Sequence, residues 1–388
     1  MGIKNLTSLI EENAPSAIKS NDLKSYSGRI VAIDASTSMY QFLIAINTEM
    51  GAALMNANGE TTSHLQGMFY RTIKLMTRGI KPIYVFDGKA PVLKSGELAK
   101  RYARRKEAEQ QLEEANEVGN SEDVQKFQKR TISASRKQNE ECKKLLELMG
   151  VPIVQAPCEA EAQCAELCKG GKAWATGSED MDSLTLGTTI LLRRLTFSEA
   201  RKLPIMEIEL EKVLDGLDLT HDQFVDLCIL LGCDYCDTIK GIGPKKSFDM
   251  ITKHKNIQTV IQNIDRTKNP IPESFPYEEV RELFKNPDVI KCQDLPEIVW
   301  KEPDVDGLIK YLVGEMGFNE TRVQQGIEKL KKYKDTGVQT RIDTFFPMIK
   351  RPRDEDAGSA KKKQKTVAKP GAAGSKKKPA AKKAAGKK

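Results

Sequence analysis

A chain of 388 residues with 39% hydrophobic content can bury one large core or two ordinary ones, which excludes a wholly disordered or fibrous protein. Its net charge of +8 comes from one end: residues 350–388 hold 15 of the 62 Lys and Arg but three of the 54 acids, so residues 1–349 carry 47 basic against 51 acidic side chains and a basic body cannot be inferred. No stretch is long and apolar enough to span a membrane, and eight scattered cysteines without a signal-like amino-terminal segment point to reduced thiols in a nuclear or cytosolic compartment.

In chain order, Arg29-Ile-Val-Ala-Ile runs into Asp34 and Pro82-Ile-Tyr-Val-Phe into Asp87. The pattern between them predicts strand, helix, strand, with helices over Ser38–Ile46 and Ser63–Met76. Residues 90–148 are rich in Ala, Glu, Lys and Gln, and predict two long polar helices that project from the core, broken at Gly119-Asn-Ser121. The α/β pattern resumes at Val151. Glu159 and Glu161 follow Pro157 and should occupy the first turn of a helix, where their directions differ by about 200° and they could serve opposite sides. Asp180 and Asp182 come after Ala173-Trp-Ala-Thr-Gly, and Thr189–Leu195 is a further apolar run.

Beyond Leu219 the chain reads as helical, over 222–231, 245–253, 277–285, 304–315 and 319–334, with Asp234 and Gly232 in the turn after the first of these. Past Pro347 it becomes Lys, Ala, Gly and Pro, which cannot bury a core and should stay disordered. The runs 350–353 and 361–365 suit nuclear import and nonspecific phosphate affinity.

Seven carboxylates thus stand where a fold can deliver them to one place: Asp34, Asp87, Glu159, Glu161, Asp180, Asp182 and Asp234. Ligands of open α/β sheets bind just past the carboxyl ends of the strands, so acids from both halves can meet only if the halves share a sheet. Carboxylates about 4 Å apart repel by roughly 4 kcal/mol per pair at an effective dielectric near 20. Such a cluster calls for cations, and oxygen-only ligands suit two Mg²⁺ ions, with Mn²⁺ able to substitute. Paired ions of this kind clamp the attacking and leaving oxygens of phosphoryl transfer.

Seven acids against two divalent ions leave a charge of −3, which Lys94 and Arg101 can offset. They share a face, continued by Arg105, if a helix starts near Pro91; if Ser95 caps it instead, Lys94 leaves the stripe. Tyr40 lies six residues past Asp34, where an aromatic could stack on a base. Gly241-Ile-Gly243-Pro-Lys245-Lys246 offers backbone amides and a helix amino terminus to phosphate, in the manner of a helix-hairpin-helix turn. Cys233-Asp-Tyr-Cys236 is a CxxC without a second such pair and carries no zinc or redox assignment of its own. Gln339-Thr-Arg-Ile342-Asp-Thr-Phe345-Phe346 puts apolar side chains at the threshold of the tail, where they want a partner's pocket.

These residues, in this order, resemble the eukaryotic flap endonucleases of the XPG-type nuclease family. The likeness rests on Met-Gly-Ile-Lys-Asn-Leu at the start, Val-Ala-Ile-Asp34-Ala-Ser, Val-Phe-Asp87-Gly, Leu-Lys94-Ser-Gly-Glu-Leu-Ala-Lys-Arg101, Glu159-Ala-Glu161, Asp180-Met-Asp182 and Gly232-Cys-Asp234-Tyr, and it covers essentially the whole chain. It implies a mostly parallel α/β sheet flanked by helices, with a helical arch that threads a single-stranded 5′ flap. It also implies that the seven acids hold two Mg²⁺ and that Lys94 and Arg101 steer the scissile phosphate, with Asp182 essential to cutting. Tyr40 would stack at the junction, Arg71, Arg105 and Gly232 would contact DNA, and Gly241, Gly243, Lys245 and Lys246 would hold duplex with a K⁺ ion. Where animal members tend to carry a DNA-contacting arginine, this chain has Asn47.

Gln339, Ile342, Phe345 and Phe346 fit the peptide that plugs into the ring-shaped replication clamp, proliferating cell nuclear antigen, with a monomer as the unit and room for three on one ring. The implied layout is nuclease regions over 1–106 and 124–255, an arch connection over 107–123, a helical region over 256–336, a clamp peptide over 337–346 and a basic tail over 347–388. The expected activity is 5′ flap endonuclease and 5′–3′ exonuclease cleavage of DNA by two-metal hydrolysis, in Okazaki fragment processing and base excision repair. The expected place is the nucleus, nucleoplasm and nucleolus, with a mitochondrial form compatible. Two other readings stand beside it: a clamp-bound chromatin or repair adaptor without chemistry, and another Mg²⁺-dependent phosphoryl-transfer enzyme built on an Asp-x-Asp loop.

Overall fold

The computed structural model of the chain describes residues 2–49, 59, 61–195 and 203–335. In chain order these form α1 (Leu6–Asn13), β1 (Ile18–Asn21), β2 (Ile30–Asp34), α2 (Ala35–Glu49), α3 (Ser63–Thr77), β3 (Lys81–Phe86), α4 (Ser95–Val118), α5 (Ser121–Thr131), α6 (Arg136–Leu148) and β4 (Ile153–Gln155). There follow α7 (Ala160–Lys169), β5 (Ala175–Gly177), the single turn α8 (Asp182–Thr185), β6 (Ile190–Arg193), β7 (Ile205–Glu209), α9 (Leu210–Leu217), α10 (His221–Leu231) and α11 (Pro244–His254). The last helices are α12 (Ile257–Asn263), α13 (Tyr277–Lys285), α14 (Val305–Ile309), which runs into a π-helical turn, and α15 (Glu320–Asp335). The expected clamp peptide and basic tail lie outside the described residues.

One seven-stranded sheet takes strands from both halves in the order β1-β7-β6-β5-β2-β3-β4. The five strands from β6 to β4 are parallel, and β7 and β1 close one edge antiparallel. Parallel strands are covered on both faces, which explains the unbroken apolar runs that end at Asp34 and Phe86. In β2 and β3 the side chains alternate: Val31, Ile33, Tyr84 and Phe86 pack against α2, α3 and α6, while Ala32, Ile83 and Val85 pack against α7. A third cluster joins β6 and β7 to α1, α9, α10 and α13.

The chain leaves β2 toward β3 on one side, whereas β5 lies on its other side. This reversal opens a crevice at the carboxyl ends of β2 and β5, the place where open α/β sheets receive ligands.

The polar stretch differs from its expected form in one respect. It makes three helices, not two, because Ser135 and Gln138 form a capping box that starts α6 afresh. That third helix belongs to the core, burying Cys142, Leu145 and Leu146, and only α4 and α5 have the predicted character, with Ala108 and Ala115 as the buried residues of α4. The expected break holds: Gly119 ends α4 in the left-handed conformation and the Asn120 side chain accepts the Glu122 and Asp123 N–H groups at the start of α5.

Asp226 of α10 ties three helices together. Its carboxylate takes both Nε and Nη2 of Arg281 from α13, at 2.6 and 2.9 Å, and the Ile257 N–H at the start of α12, at 3.0 Å. Asp226 is 3% exposed, so removing it leaves the guanidinium facing a desolvated gap. Asp226→Ala should cost about 3 kcal/mol, as breaking one partner of a buried pair does. Denaturant unfolding measures this, and a loss near that of an exposed ion pair would show that the triad does not hold α10.

Candidate functional site

Above the carboxyl edge of the parallel strands lies a cleft of about 890 Å³. Asp34, Asp87, Glu159, Glu161, Asp180 and Asp234 line it together with Tyr40, Lys94, Arg101, Arg104 and Arg105. Asp182 stands beside it, its N–H donating to Asp180 Oδ1 at 3.1 Å. The two halves therefore deliver all seven acids to one neighbourhood.

Each acid is placed by its local chain. Asp34 closes β2 and accepts the Thr37 N–H at 3.0 Å, fixing the turn into α2. Asp87, just past β3, accepts the Ala160 N–H at 2.8 Å and so caps α7 from a neighbouring strand. Glu159 is the residue before α7 and Glu161 lies in its first turn, as their spacing predicted. Glu161 interacts with Asp34, Asp87, Asp180 and Lys94, and Glu159 binds Lys94 and Tyr235, so both acids reach the same lysine. Asp180 sits on the loop after β5 and Asp182 opens α8, and their N–H groups turn inward onto Ser178 Oγ and Asp180 Oδ1. Glu179, just before Asp180, points away, accepting the Arg194 N–H.

The electrostatic cost of this crowding is visible. Burial first, and then the Asp87 charge, push the Asp34 carboxyl up to about 6, against the hydrogen bonds from Thr37. Burial and the charges of Asp34, Asp87 and Asp180 raise Glu161 well above the usual carboxylate range. Burial and Asp180 do the same to Asp182.

Two cations offset part of the charge. Lys94 Nζ is 2.5 Å from Glu159 Oε1 and 3.6 Å from Asp234 Oδ2, and Arg101 Nη2 is 2.5 Å from Asp234 Oδ2. Burial pulls the Lys94 ammonium down, but Glu159, Glu161 and Asp234 outweigh it and hold the group above the ordinary lysine range. Helix α4 begins at Ser95, so Lys94 belongs to the 3₁₀ turn before it and not to the stripe of Arg101 and Arg105. It reaches the acids from that turn all the same.

The donor set suits hard divalent cations: seven carboxylates, oxygen only, with Asp182 Oδ1 buried and without a hydrogen-bond partner. Among the described residues no three of these groups meet in a closed ligand cage, and Glu159 and Asp234 are turned onto Lys94 and Arg101.

Sequence reading missed two neighbours. Gly2, at φ 71°, lies so close to Asp180 and Asp182 that an added Cβ would overlap both Oδ1 atoms. Tyr235, 5% exposed, donates its phenol to Glu159 Oε2 at 2.5 Å and lays its ring 5.8 Å from Lys94 Nζ. A glycine carries no chemical signal in sequence, and Tyr235 could have been suspected only from its place beside Asp234.

The remaining candidates are dispersed. Arg71 faces a second groove of about 690 Å³ between α3 and α15, with Lys74, Arg78, Arg322 and Lys329. Gly232 ends α10 at φ 107°, next to Lys4. Gly243 stands at the start of α11 with Pro244 as its first residue, Lys246 folds back to donate to the Gly241 carbonyl at 3.0 Å, and Lys245 is exposed. Asn47 lies in α2, but its side chain is outside what the structure describes, as are Gln339, Ile342, Phe345 and Phe346.

Comparison with known proteins agrees with this geometry. Residues 1–108 match the XPG N-terminal domain and residues 150–234 the XPG I-region. The chain is 70% identical to flap endonuclease 1 of Dictyostelium discoideum over 354 residues, 91% of this chain and 92% of that one. It is 55% identical to flap endonuclease 1 of Danio rerio over 376 residues, 96% and 98% of the two chains. Among solved structures, flap endonuclease-1 from Methanococcus jannaschii superimposes with a TM-score of 0.64 at 35% identity, covering 82% of this chain and 96% of that one. The catalytic core of Rad2 in complex with DNA substrate gives 0.65 at 27% identity, covering 85% and 100%.

The raised carboxyls make a pH-dependent prediction for metal-free protein. Their pKa values in the fold lie above the unfolded ones, so the stability that goes with the protonated state is lost as pH rises through the folded pKa, about 6 for Asp34, and cations restore stability above that point. Saturating Mg²⁺ should raise the melting temperature more at about pH 8 than at about pH 5.5, and Asp34→Asn should flatten the difference. An equal gain at both pH values would contradict the cleft as the site of binding.

Proposed function

The chain belongs to the flap endonucleases of the XPG nuclease family, and from that membership we infer how its cleft works. It is a structure-specific nuclease, a hydrolase that cuts phosphodiester bonds of DNA at 5′ flap junctions, with roles in replication and repair. Like its family it requires a divalent metal. The observation that carries the mechanistic reading is the meeting of seven acids from both halves with Lys94 and Arg101 in one cleft.

We assign Asp34, Asp87, Glu159, Glu161, Asp180, Asp182 and Asp234 as the residues that would hold two Mg²⁺ ions, with Mn²⁺ as a substitute. Bound there, the ions would supply the positive charge that stabilises the developing phosphate and favours in-line attack by water. The protein's own contribution is positional. Lys94 and Arg101 pair with Glu159 and Asp234; with those carboxylates neutralised, both side chains would be free to turn to the scissile phosphate and stabilise its transition-state charge. Tyr235 keeps Glu159 oriented by its hydrogen bond.

Tyr40, half-buried in the wall of the cleft, presents an aromatic face to the base at the junction. Helices α4 and α5 form the arch over it, and their Arg104, Arg105 and Arg130 face the cleft with charge suited to a single strand. Arg71, Asn47, Gly232 and the turn from Gly241 to Lys246 are assigned to duplex backbone, the last with a K⁺ ion. Residues 337–346 serve as the clamp peptide through Gln339, Ile342, Phe345 and Phe346, one monomer per site and three per ring, and the basic tail directs the protein to the nucleus.

The test is an end-labelled set of 5′ flap, 3′ flap, nicked and single-stranded DNA, with Mg²⁺ or chelator. Cleavage should be confined to 5′ junctions and depend on metal. Asp182→Ala should lower cutting by at least about 10³-fold while leaving flap binding largely intact, since it removes charge that matters in the transition state. Undiminished cutting by this variant would remove the two-ion assignment. Removal of 339–388 should abolish stimulation by the clamp and leave basal cutting unchanged; stimulation that survives would place the clamp contact elsewhere.

A further inference from the structure

The nuclease chemistry leaves one motif unused. Cys233 and Cys236 bracket Asp234 and Tyr235, and their Sγ atoms stand 3.8 Å apart in hydrogen-bonding contact. Among the described residues no other two cysteines are in such contact, although all eight are free. Cys233 is 9% exposed and Cys236 is half-buried, so the second thiol can be reached from solvent and the first can be reached from the second.

We propose that Cys233 and Cys236 are a modification site: a peroxide converts them to a reversible disulfide, and closing that bond disables the metal centre. The chemistry balances with one molecule of hydrogen peroxide. The Cys236 sulfur attacks one peroxide oxygen, the O–O bond breaks, and water leaves with a sulfenic acid on Cys236. The Cys233 sulfur then attacks that sulfur, the S–OH bond breaks, and the departing hydroxide takes the Cys233 proton as a second water. Two thiols have lost two electrons, and the peroxide has been reduced to two waters.

Geometry supplies the coupling. A disulfide needs about 2.05 Å between sulfurs, so the two cysteine side chains and the four-residue segment that carries them must together absorb the approach from 3.8 Å. The flank on its amino-terminal side cannot slide freely. The Gly232 N–H is bonded to the Cys228 and Ile229 carbonyls, and its own carbonyl accepts the Lys4 N–H at 3.1 Å. The displacement therefore falls on Asp234 and on the Tyr235 phenol, which hold Arg101 and Glu159. A shift of about 1 Å in groups around a reacting centre is worth roughly 10²-fold in rate.

The effect on cutting rests on the nuclease reading, whereas formation of the bond does not, and the experiment reads the two separately. The full chain is treated with hydrogen peroxide, quenched, alkylated, and mapped by mass spectrometry without reduction, and the same samples are assayed on a 5′ flap. The expected result is a Cys233–Cys236 crosslink, a fall in cutting of roughly 10²-fold and full recovery with dithiothreitol. Cys233→Ser and Cys236→Ser should cut normally when reduced and no longer respond reversibly to peroxide. The proposal is overturned by a map without this crosslink, by a crosslink that leaves cutting unchanged, or by variants that still lose activity as the parent does, which would point to a thiol such as Cys158. If the nuclease reading itself fails, the reduced parent never cuts, while the map still reports the bond.

Discussion

Crowding of like charge at the carboxyl edge of one sheet governs the rest of this structure. Asp34 and Asp182 are buried and Glu161 is half-buried, all lie among other acids, and each holds its proton more tightly than an exposed carboxyl does. A fold does not gather such groups for stability, because every one of them raises the energy of the folded state at neutral pH. The arrangement is tolerable because cations are at hand. In the protein alone these are Lys94 and Arg101; in the proposed complex with metal and DNA, the same two side chains would be free to turn from the acids to the phosphate.

The surrounding elements are placed to serve that centre. The crevice exists because β5 lies on the far side of β2 from β3, and strands of both halves contribute to one sheet. Helix α7 brings Glu159 and Glu161 to its own start and is capped there by Asp87, so one acid positions two others. Helix α10, locked through Asp226 to α12 and α13, ends at Gly232 and hands over directly to Asp234 and Tyr235. The cysteines around those two residues would make the same short segment responsive to oxidation.

Much of this was legible in the sequence, and the reasons are physical. Parallel strands are apolar on both faces and end abruptly at a polar ligand, so Ile30–Asp34 and Lys81–Phe86 announce themselves together with their acids. The place of Glu159 and Glu161 at the start of a helix follows from Pro157 just before them and the helix-forming residues after them. What escaped was set by tertiary context. Strand β1, Ile18-Lys-Ser-Asn21, has no alternation and is a strand only because β7 pairs with it. The third helix of the polar stretch was hidden because its apolar face, Cys142, Leu145 and Leu146, is short and diluted by charge. The closeness of Gly2 to Asp180 and Asp182 depends on contacts across 178 positions or more, which no local pattern records.

The central claim is that the converging acids hold two neighbouring hard cations against DNA. Electron paramagnetic resonance of the protein with product flap DNA and increasing Mn²⁺ measures this directly. The account predicts two ions per chain with the magnetic coupling of a pair about 4 Å apart, reduced to a single uncoupled ion by Asp182→Ala. One ion only, or two without coupling, in the unaltered protein would contradict it.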